Sequence, residues 1–526
     1  GGFGGKSDIL AENFVYGGTP DFYKKSLANI DNATPKQVQA VAKRWFTEGH
    51  YQLTVVPFDT TLTAKGDGID RSALPYPTSY PEVGFTDFER GELSNGMKLL
   101  VANYGGVPLV NLSMIFDAGY ASDQLASPGT AGFALSMLDE GTRSRNALEI
   151  SDAFDNLGAN FSAGSNLDNA FVSLNALTDT LDDALDLYAD IILNPAFPEK
   201  ELERVRKLRL AGIARERAQP QAMALRVLPK LMYGADHAYG QPLTGSGTEQ
   251  SVAAITQADL QAYHDAWIRP NNATLVVVGD TTLEKIKPML EARFSKWAAK
   301  DVPQKTLDNV ALAEAATVYI IDRPESEQSL IFAGHVVPAK SDQADLAIEA
   351  ANQVLGGDFP ARLNMNLRED KGWSYGSYSF VVDAAVQRPW IVSAPVQTDK
   401  TAESMAEIRR EVTEYVNGNG AQEDELARVR DSNTLSLPGR WETIGAVSGS
   451  LSEMVRFNLP DDYWNTFADQ TRQLTLDAVN EQAQRVLKPD SMIWVVVGDR
   501  AKIEGPIREL GFDRIEMIDT NGDSVE

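Results

Sequence analysis

Arg368 and Tyr375 stand seven residues apart in the stretch Leu363–Tyr378, which reads LNMNLREDKGWSYGSY. A helix is expected to end at about Asp370, with Gly372 just past its C-terminus, a position that favours glycine. From Tyr375 the run Tyr-Gly-Ser-Tyr-Ser-Phe-Val-Val is aromatic and β-prone, and reads as the start of a strand. A guanidinium at a helix end and a phenol at a strand start can aim two hydrogen-bond donors at one concave spot. The same spacing also fits a surface arginine and a half-buried tyrosine with local partners, and spacing alone leaves both readings open.

Other reactive groups are sparse. The four histidines, His50, His237, His264 and His335, include no pair at the three- or four-residue spacing of a helical metal site. His264 lies on a repeated helix whose other copies carry Ala42 and Ala483 at that offset, which marks it as structural or solvated. There is no cysteine, so disulfides, thiolate chemistry and cysteine-ligated zinc are excluded. Nucleophile elbow, phosphate loop and dinucleotide fingerprint are all missing. Gly356-Gly357-Asp358-Phe359 lacks the Lys-Thr/Ser of a phosphate cradle and is expected to be a tight turn before the helix carrying Arg362 and Arg368. No metal or cofactor is therefore expected on this chain alone. The net charge of −26 argues against a nucleic-acid partner and would draw cationic ligands to a cleft of the same sign. No run reaches the ~18 apolar residues of a membrane span.

The elements that must position Arg368 and Tyr375 follow from an internal repeat. Three copies begin at Thr34 (TPKQVQAVAKRWF), Thr256 (TQADLQAYHDAWIRPNNATLVVVGD) and Thr475 (TLDAVNEQAQRVLKPDSMIWVVVGD). Each Thr is placed as a helix N-cap. Apolar residues follow at helical spacing: Val38, Val41, Trp45; Leu260, Tyr263, Trp267; Val479, Ala483, Val486. A strand then ends in Gly279-Asp280 or Gly498-Asp499, and in the first copy YQLTVVPF takes the strand position. The copies lie about 220 residues apart, the size of a domain rather than of a solenoid unit. The division that follows is a C-terminal tail of a truncated preceding domain at 1–60, a Pro-containing linker at 61–88, and complete domains at 89–300 and 301–526. The start at Gly-Gly-Phe-Gly-Gly-Lys suggests a missing N-terminal part, which would carry any targeting segment. Each complete domain opens with strands, Met97–Val101 and Leu109–Phe116 in one, Val318–Ile321 and Ser329–Ala333 in the other, before long helices. That order predicts an α+β class, with helices packed on one face of a mixed, largely antiparallel sheet. The helix Lys200–Arg217 is expected to bury Leu202, Val205, Leu208 and Ile213.

The domain-sized repeat, the Val-Val-Gly-Asp endings and the segment LGGDFPARLNMNLREDKGWSYG together resemble the pitrilysin/insulinase family of zinc metallopeptidases over essentially the whole chain. The resemblance implies four such domains in two halves that close like a clamshell. One half carries H-x-x-E-H on a helix, two His and a later Glu binding zinc and the motif Glu acting as general base. Here Gly129–Thr142 aligns with that helix, but Gly132 and Ser136 stand at the His positions, Leu135 at the Glu position, and Ala211 in the segment expected to bring the third ligand. Phe133, Met137 and Leu138 keep the packing face. The chain therefore looks like the non-catalytic half, inactive alone, with Zn²⁺ in the catalytic half of the same parent chain or of a partner subunit. By resemblance, Tyr375 donates to the oxyanion of a peptide substrate and Arg368 holds a neighbouring carbonyl. A periplasmic location is expected from family habit and the cysteine-free acidic composition. Two other readings predict different behaviour: an inactive member serving as a structural or interaction subunit, and a stand-alone peptide-binding module that adds a strand to a sheet edge.

Overall fold

The computed structural model describes residues 3–46, 49, 52–53 and 84–525. It divides into two compact units, residues 1–82 and 83–526. Of the expected strand YQLTVVPF only Gln52 and Leu53 are described, in no helix or strand, and His50 and the expected linker up to residue 83 lie outside the described residues.

The first unit shows three helices, Phe3–Gly17, Phe22–Asp31 and Pro35–Phe46. Thr34 caps the third, its Oγ1 accepting from the Gln37 N–H while Gln37 Oε1 accepts from the Thr34 N–H. Val38, Val41 and Trp45 on that helix are exposed. The matching residues of the other two copies, Leu260, Tyr263, Trp267 and Val479, Ala483, Val486, are buried.

The second unit holds two six-stranded mixed sheets. The first contains β1 (Glu89–Glu92), β2 (Lys98–Asn103), β3 (Leu109–Phe116), β4 (Asn160–Ser165), β5 (Ala170–Leu177) and β6 (Ala273–Gly279), in the order β1-β2-β6-β3-β5-β4. The second contains β7 (Thr317–Asp322), β8 (Gln328–Val337), β9 (Tyr378–Val381), β10 (Arg388–Gln397), β11 (Ile493–Gly498) and β12 (Arg514–Ile518), in the order β12-β7-β11-β8-β10-β9. Five strands correspond one to one, and β2–β6 and β7–β11 are the matching parallel pairs. The opening strands do not pair with each other, because the last strand of each repeat inserts between them: β6 between β2 and β3, β11 between β7 and β8. The Asn95-Gly96 turn instead joins β1 to β2, with Gly96 at φ +86°. Thr256 and Thr475 cap their helices by accepting the Asp259 and Ala478 N–H groups.

Both faces of each sheet are covered, not one as expected. Leu99, Val101, Leu275 and Val277 point to the helices of the first sheet's own repeat, while Leu100, Ala102, Val276 and Val278 point the other way. That second face is covered by the helix Ile444–Phe457, contributed from the second half through Val447, Leu451, Met454 and Phe457. Reciprocally, the helix Pro220–Tyr233 of the first half packs on β8 and β11, where Leu330, Phe332, Val495 and Val497 meet Val227 and Leu228. Each such buried side chain contributes about 1.5–3 kcal/mol, so the exchanged helices fasten the two halves into one body. Double coverage is also why the central strands read as unbroken apolar runs, Leu-Val-Val-Val and Ile-Trp-Val-Val-Val, rather than alternating. Phe85 joins the same core, edge-on to Trp441 at 5.1 Å between ring centroids.

Candidate functional site

Arg368 lies in a wide helical turn, Met365–Asp370, that continues the short helix Arg362–Asn364. Turns of this π type recur at functional sites. The helix stops where the N–H groups of Gly372 and Trp373 bond back to the carbonyls of Arg368 and Leu367, with Gly372 at φ +67°. Tyr375 is not on a strand: β9 starts at Tyr378, because Ser374 to Ser377 are held by other bonds. Ser374 Oγ donates to the Pro395 carbonyl at 2.6 Å and accepts from the Gly376 N–H at 3.1 Å. The buried Asn364 fixes both flanks, its Nδ2 donating to the Phe359 carbonyl at 2.8 Å and its Oδ1 accepting from the Ser377 N–H at 3.1 Å. Gly356 and Gly357 belong to the end of the preceding helical stretch, and the tight turn starts at Asp358. Gly356 is needed there, since a Cβ would meet the Ser379 N and Oγ at 2.5 Å.

These bonds bring Arg368 and Tyr375 together. The Arg368 guanidinium carbon lies 5.0 Å from the Tyr375 ring centroid and 4.6 Å from that of Phe359. Its Nε faces the Glu369 carboxylate at 3.3 Å. Tyr375 is 85% exposed, and its hydroxyl has no partner among the described residues. Two aromatic faces thus hold the guanidinium plane, leaving N–H groups and a phenol O–H able to donate outward. Phe359 and Asn364 were not singled out by sequence. The Asn at the third helical position, between Leu363 and Met365, carries no signal without its contacts.

Gly132, Leu135 and Ser136 lie on or just after the helix Thr130–Leu135. Leu135 is buried in the core, and Ser136 Oγ donates to the Phe133 carbonyl at 2.9 Å. Ala211 is exposed on the helix Glu199–Glu216. The residue of that helix that reaches Gly132 is Arg209: a Cβ on Gly132 would lie 2.9 Å from Arg209 Nη2 and 3.3 Å from the Gly245 carbonyl oxygen. Leu208, expected on the buried face, is 61% exposed. At 100° per residue Leu208 sits about 120° from Leu202 around the helix, whereas Arg209 and Ile213 sit within about 20° of it. An arginine within about 20° of Leu202, in the Leu202–Val205–Ile213 stripe, is the available sequence signal.

The Arg209 guanidinium carbon lies 5.4 Å from the Phe133 ring centroid. Burial disfavours its charge, and the Asp123 and Glu216 carboxylates counteract this. Neither carboxylate bonds it. Asp123 is spent on the Gly129 and Ala131 N–H groups, at 2.7 and 2.8 Å, and burial still pushes its carboxyl up to about 7. Glu216 accepts from Arg226 and Ser246. A glycine, a buried leucine and a guanidinium cannot hold a zinc ion, which needs neutral imidazole or anionic ligands. Among the described residues no cluster of three or more His, Asp and Glu is placed to hold a metal.

The described histidines are structural. His335 is buried with Nδ1 against the Val336 carbonyl and Nε2 accepting from the Lys488 N–H, and burial lowers its pKa to about 4. His264 Nε2 bonds the Ile192 carbonyl, and His237 Nε2 the Asp308 carbonyl.

Two mixed sheets of matching topology, fastened by exchanged helices, define a pair of repeated α+β domains. The chain belongs to the insulinase (peptidase M16) family: the family described as Insulinase (Peptidase family M16) matches residues 100–246, and that described as Peptidase M16 inactive domain matches residues 254–433. A zinc protease of Mycobacterium leprae is 24% identical over 347 residues, covering 65% of this chain and 76% of that protein. The crystal structure of a peptidase M16 inactive domain from Pseudomonas fluorescens superposes with a TM-score of 0.73 at 26% identity, covering 78% of this chain and 98% of that one. The periplasmic protease PqqL of Escherichia coli shares the fold at a TM-score of 0.64 and 15% identity, covering 85% of this chain and 52% of that one.

Proposed function

We propose that this chain is the substrate-binding, zinc-free half of a clamshell metallopeptidase that hydrolyses peptides. Residues 89–300 form its metal-free peptidase-like domain and residues 301–526 the domain that carries the Arg368/Tyr375 pair. The observation that carries this reading is the pair itself: a guanidinium held between Phe359 and Tyr375, with an exposed phenol beside it. In the closed assembly the Tyr375 hydroxyl donates to the oxyanion that forms as the scissile carbonyl becomes tetrahedral, and Arg368 donates to an adjacent peptide carbonyl. Preorganised donors of this kind need no reorientation when charge develops. The exposed Val38, Val41 and Trp45 face supports a partner half, because both other copies of that helix bury the same face. The catalytic half lies on the same parent chain or on a partner subunit, and the acidic, cysteine-free composition suits the periplasm. Among the described residues no helix is long and apolar enough to cross a membrane.

The test is reconstitution with a half of this family that carries H-x-x-E-H. Peptide hydrolysis that requires both halves, and falls about 100-fold with Tyr375→Phe or Arg368→Ala, supports the proposal. Stable association without hydrolysis would favour a structural or interaction subunit instead.

A further inference from the structure

Arg209 is a partly buried arginine of its helix that lacks the partners its neighbours have. Arg204 is paired with Glu140 and Glu201, Arg206 with Glu203 and two carbonyls, and Arg226 with Glu216, Ser246 and the Gly247 carbonyl. Arg209 has no hydrogen-bond or ion-pair partner among the described residues, and its Nε is buried. Its surroundings are built closely. Gly247, at φ +75°, lies so near Pro128 that a Cβ would meet the Pro128 carbonyl oxygen at 2.3 Å, and Gly129 approaches the Ser246 carbonyl in the same way at 2.9 Å. Two glycine-bearing loops thus press together beside the Gly132 backbone, with the guanidinium against it and over the Phe133 face. Both nearby carboxylates spend their oxygens on other donors, so the Arg209 guanidinium keeps N–H groups that no described residue accepts from, at a position partly open to solvent. An unpaired, desolvated cation is costly to keep, and an anion entering the cleft would relieve that cost.

We propose that Arg209 makes the metal-free cleft a carboxylate-binding site, one that takes the C-terminal carboxylate or an acidic side chain of a peptide. A planar fork of N–H donors matches a carboxylate in two parallel bonds. Glycine at 132 lets the fork lie directly against the backbone, since a Cβ there would stand 2.9 Å from Arg209 Nη2. The peptide class rests on the function proposed above, but the readout is binding rather than hydrolysis, so either can fail without the other.

The experiment uses the full 526-residue chain and three fluorescein-labelled, unstructured decapeptides of one uncharged sequence. One has a free C-terminal carboxylate, one is C-amidated, and one is C-amidated with a single internal Glu. Dissociation constants come from anisotropy titration. At least one carboxylate peptide is expected to bind about 10- to 100-fold more tightly than the uncharged one, the gain of a charge-assisted hydrogen-bonded pair. Which of the two does so tells chain end from side chain. The gain is expected to vanish with Arg209→Gln and to survive in part with Arg209→Lys, circular dichroism confirming that each variant is folded. The comparison of peptides on the unaltered protein needs no variant. Equal affinity for all three peptides, no binding of any of them at millimolar concentration, or an undiminished gain in a folded Arg209→Gln protein would each overturn the proposal.

Discussion

Restoring the zinc motif by substitution is expected to fail while Arg209 remains. The triple variant Gly132→His, Leu135→Glu, Ser136→His supplies H-x-x-E-H on the helix Thr130–Leu135. A Cβ at 132 already stands 2.9 Å from Arg209 Nη2, so an imidazole there must push the guanidinium aside rather than pack next to it. A metal on that imidazole would sit roughly 4 Å from the displaced charge, and at an effective dielectric constant of about 20 a divalent cation and a guanidinium repel there by about 8 kcal/mol. That is about six powers of ten in affinity, enough to turn a nanomolar site into a millimolar one. Adding Arg209→Glu reverses the sign and supplies an oxygen ligand in the same place. Zinc per chain after dialysis against a competing chelator, with chelator-competition titration and thermal melts on each variant, reads the outcome. The triple variant is expected to hold no stoichiometric zinc, and the quadruple variant to bind at least about 100-fold more tightly. One zinc per chain at sub-micromolar affinity in the folded triple variant, with Arg209 intact, would refute the reasoning.

Asn364→Ala removes two buried hydrogen bonds that tie the Phe359 carbonyl and the Ser377 N–H together; thermal or urea melts are expected to show a loss of about 1–3 kcal/mol, with a lowered kcat in the reconstituted enzyme. Arg388, fully buried between Asp345, Glu349 and Asp383, leaves three carboxylates with Lys340 as the remaining cation when changed to Met, and urea unfolding is expected to show a loss of about 3 kcal/mol. For His335 the folded pKa of about 4 lies below the ordinary value of 6.5. The unfolded chain therefore binds more protons between those values, and this residue's contribution is present above pH 6.5 and lost as pH falls towards 4, by about 3 kcal/mol. Urea unfolding free energies of the unaltered protein and of His335→Gln, compared from pH 7 to pH 4, should change by amounts that differ by about 3 kcal/mol, with the variant the flatter.

The repeat was legible because it rests on short-range chemistry. Thr256 and Thr475 cap with groups three residues away, and the apolar spacing after them is local. The strand order was hidden, because the insertion of β6 between β2 and β3 joins residues about 160 to 175 positions apart and leaves no local trace. The exchange of the helices Pro220–Tyr233 and Ile444–Phe457 was hidden for the same reason, although the unbroken Val runs of β6 and β11 already implied two covered faces. At the site, the helix end at Gly372 was readable from glycine chemistry, while the start of β9 was not. Ser374 Oγ and Asn364 claim the backbone that β-propensity would have given to a strand. Arg209 is masked by Leu208, because hydrophobicity favours Leu208 for the core while helical angle puts Arg209 on the buried stripe.

The most direct measurement is the rate of peptide hydrolysis by the chain alone, by an H-x-x-E-H-bearing half alone, and by the two mixed, with Tyr375→Phe and Arg368→Ala in the mixture. The expected result is an inert chain, and activity in the mixture that either substitution lowers about 100-fold without preventing association. Hydrolysis by this chain alone, or full activity in the mixture with both substitutions in place, would contradict the assignment of Arg368 and Tyr375 to the substrate.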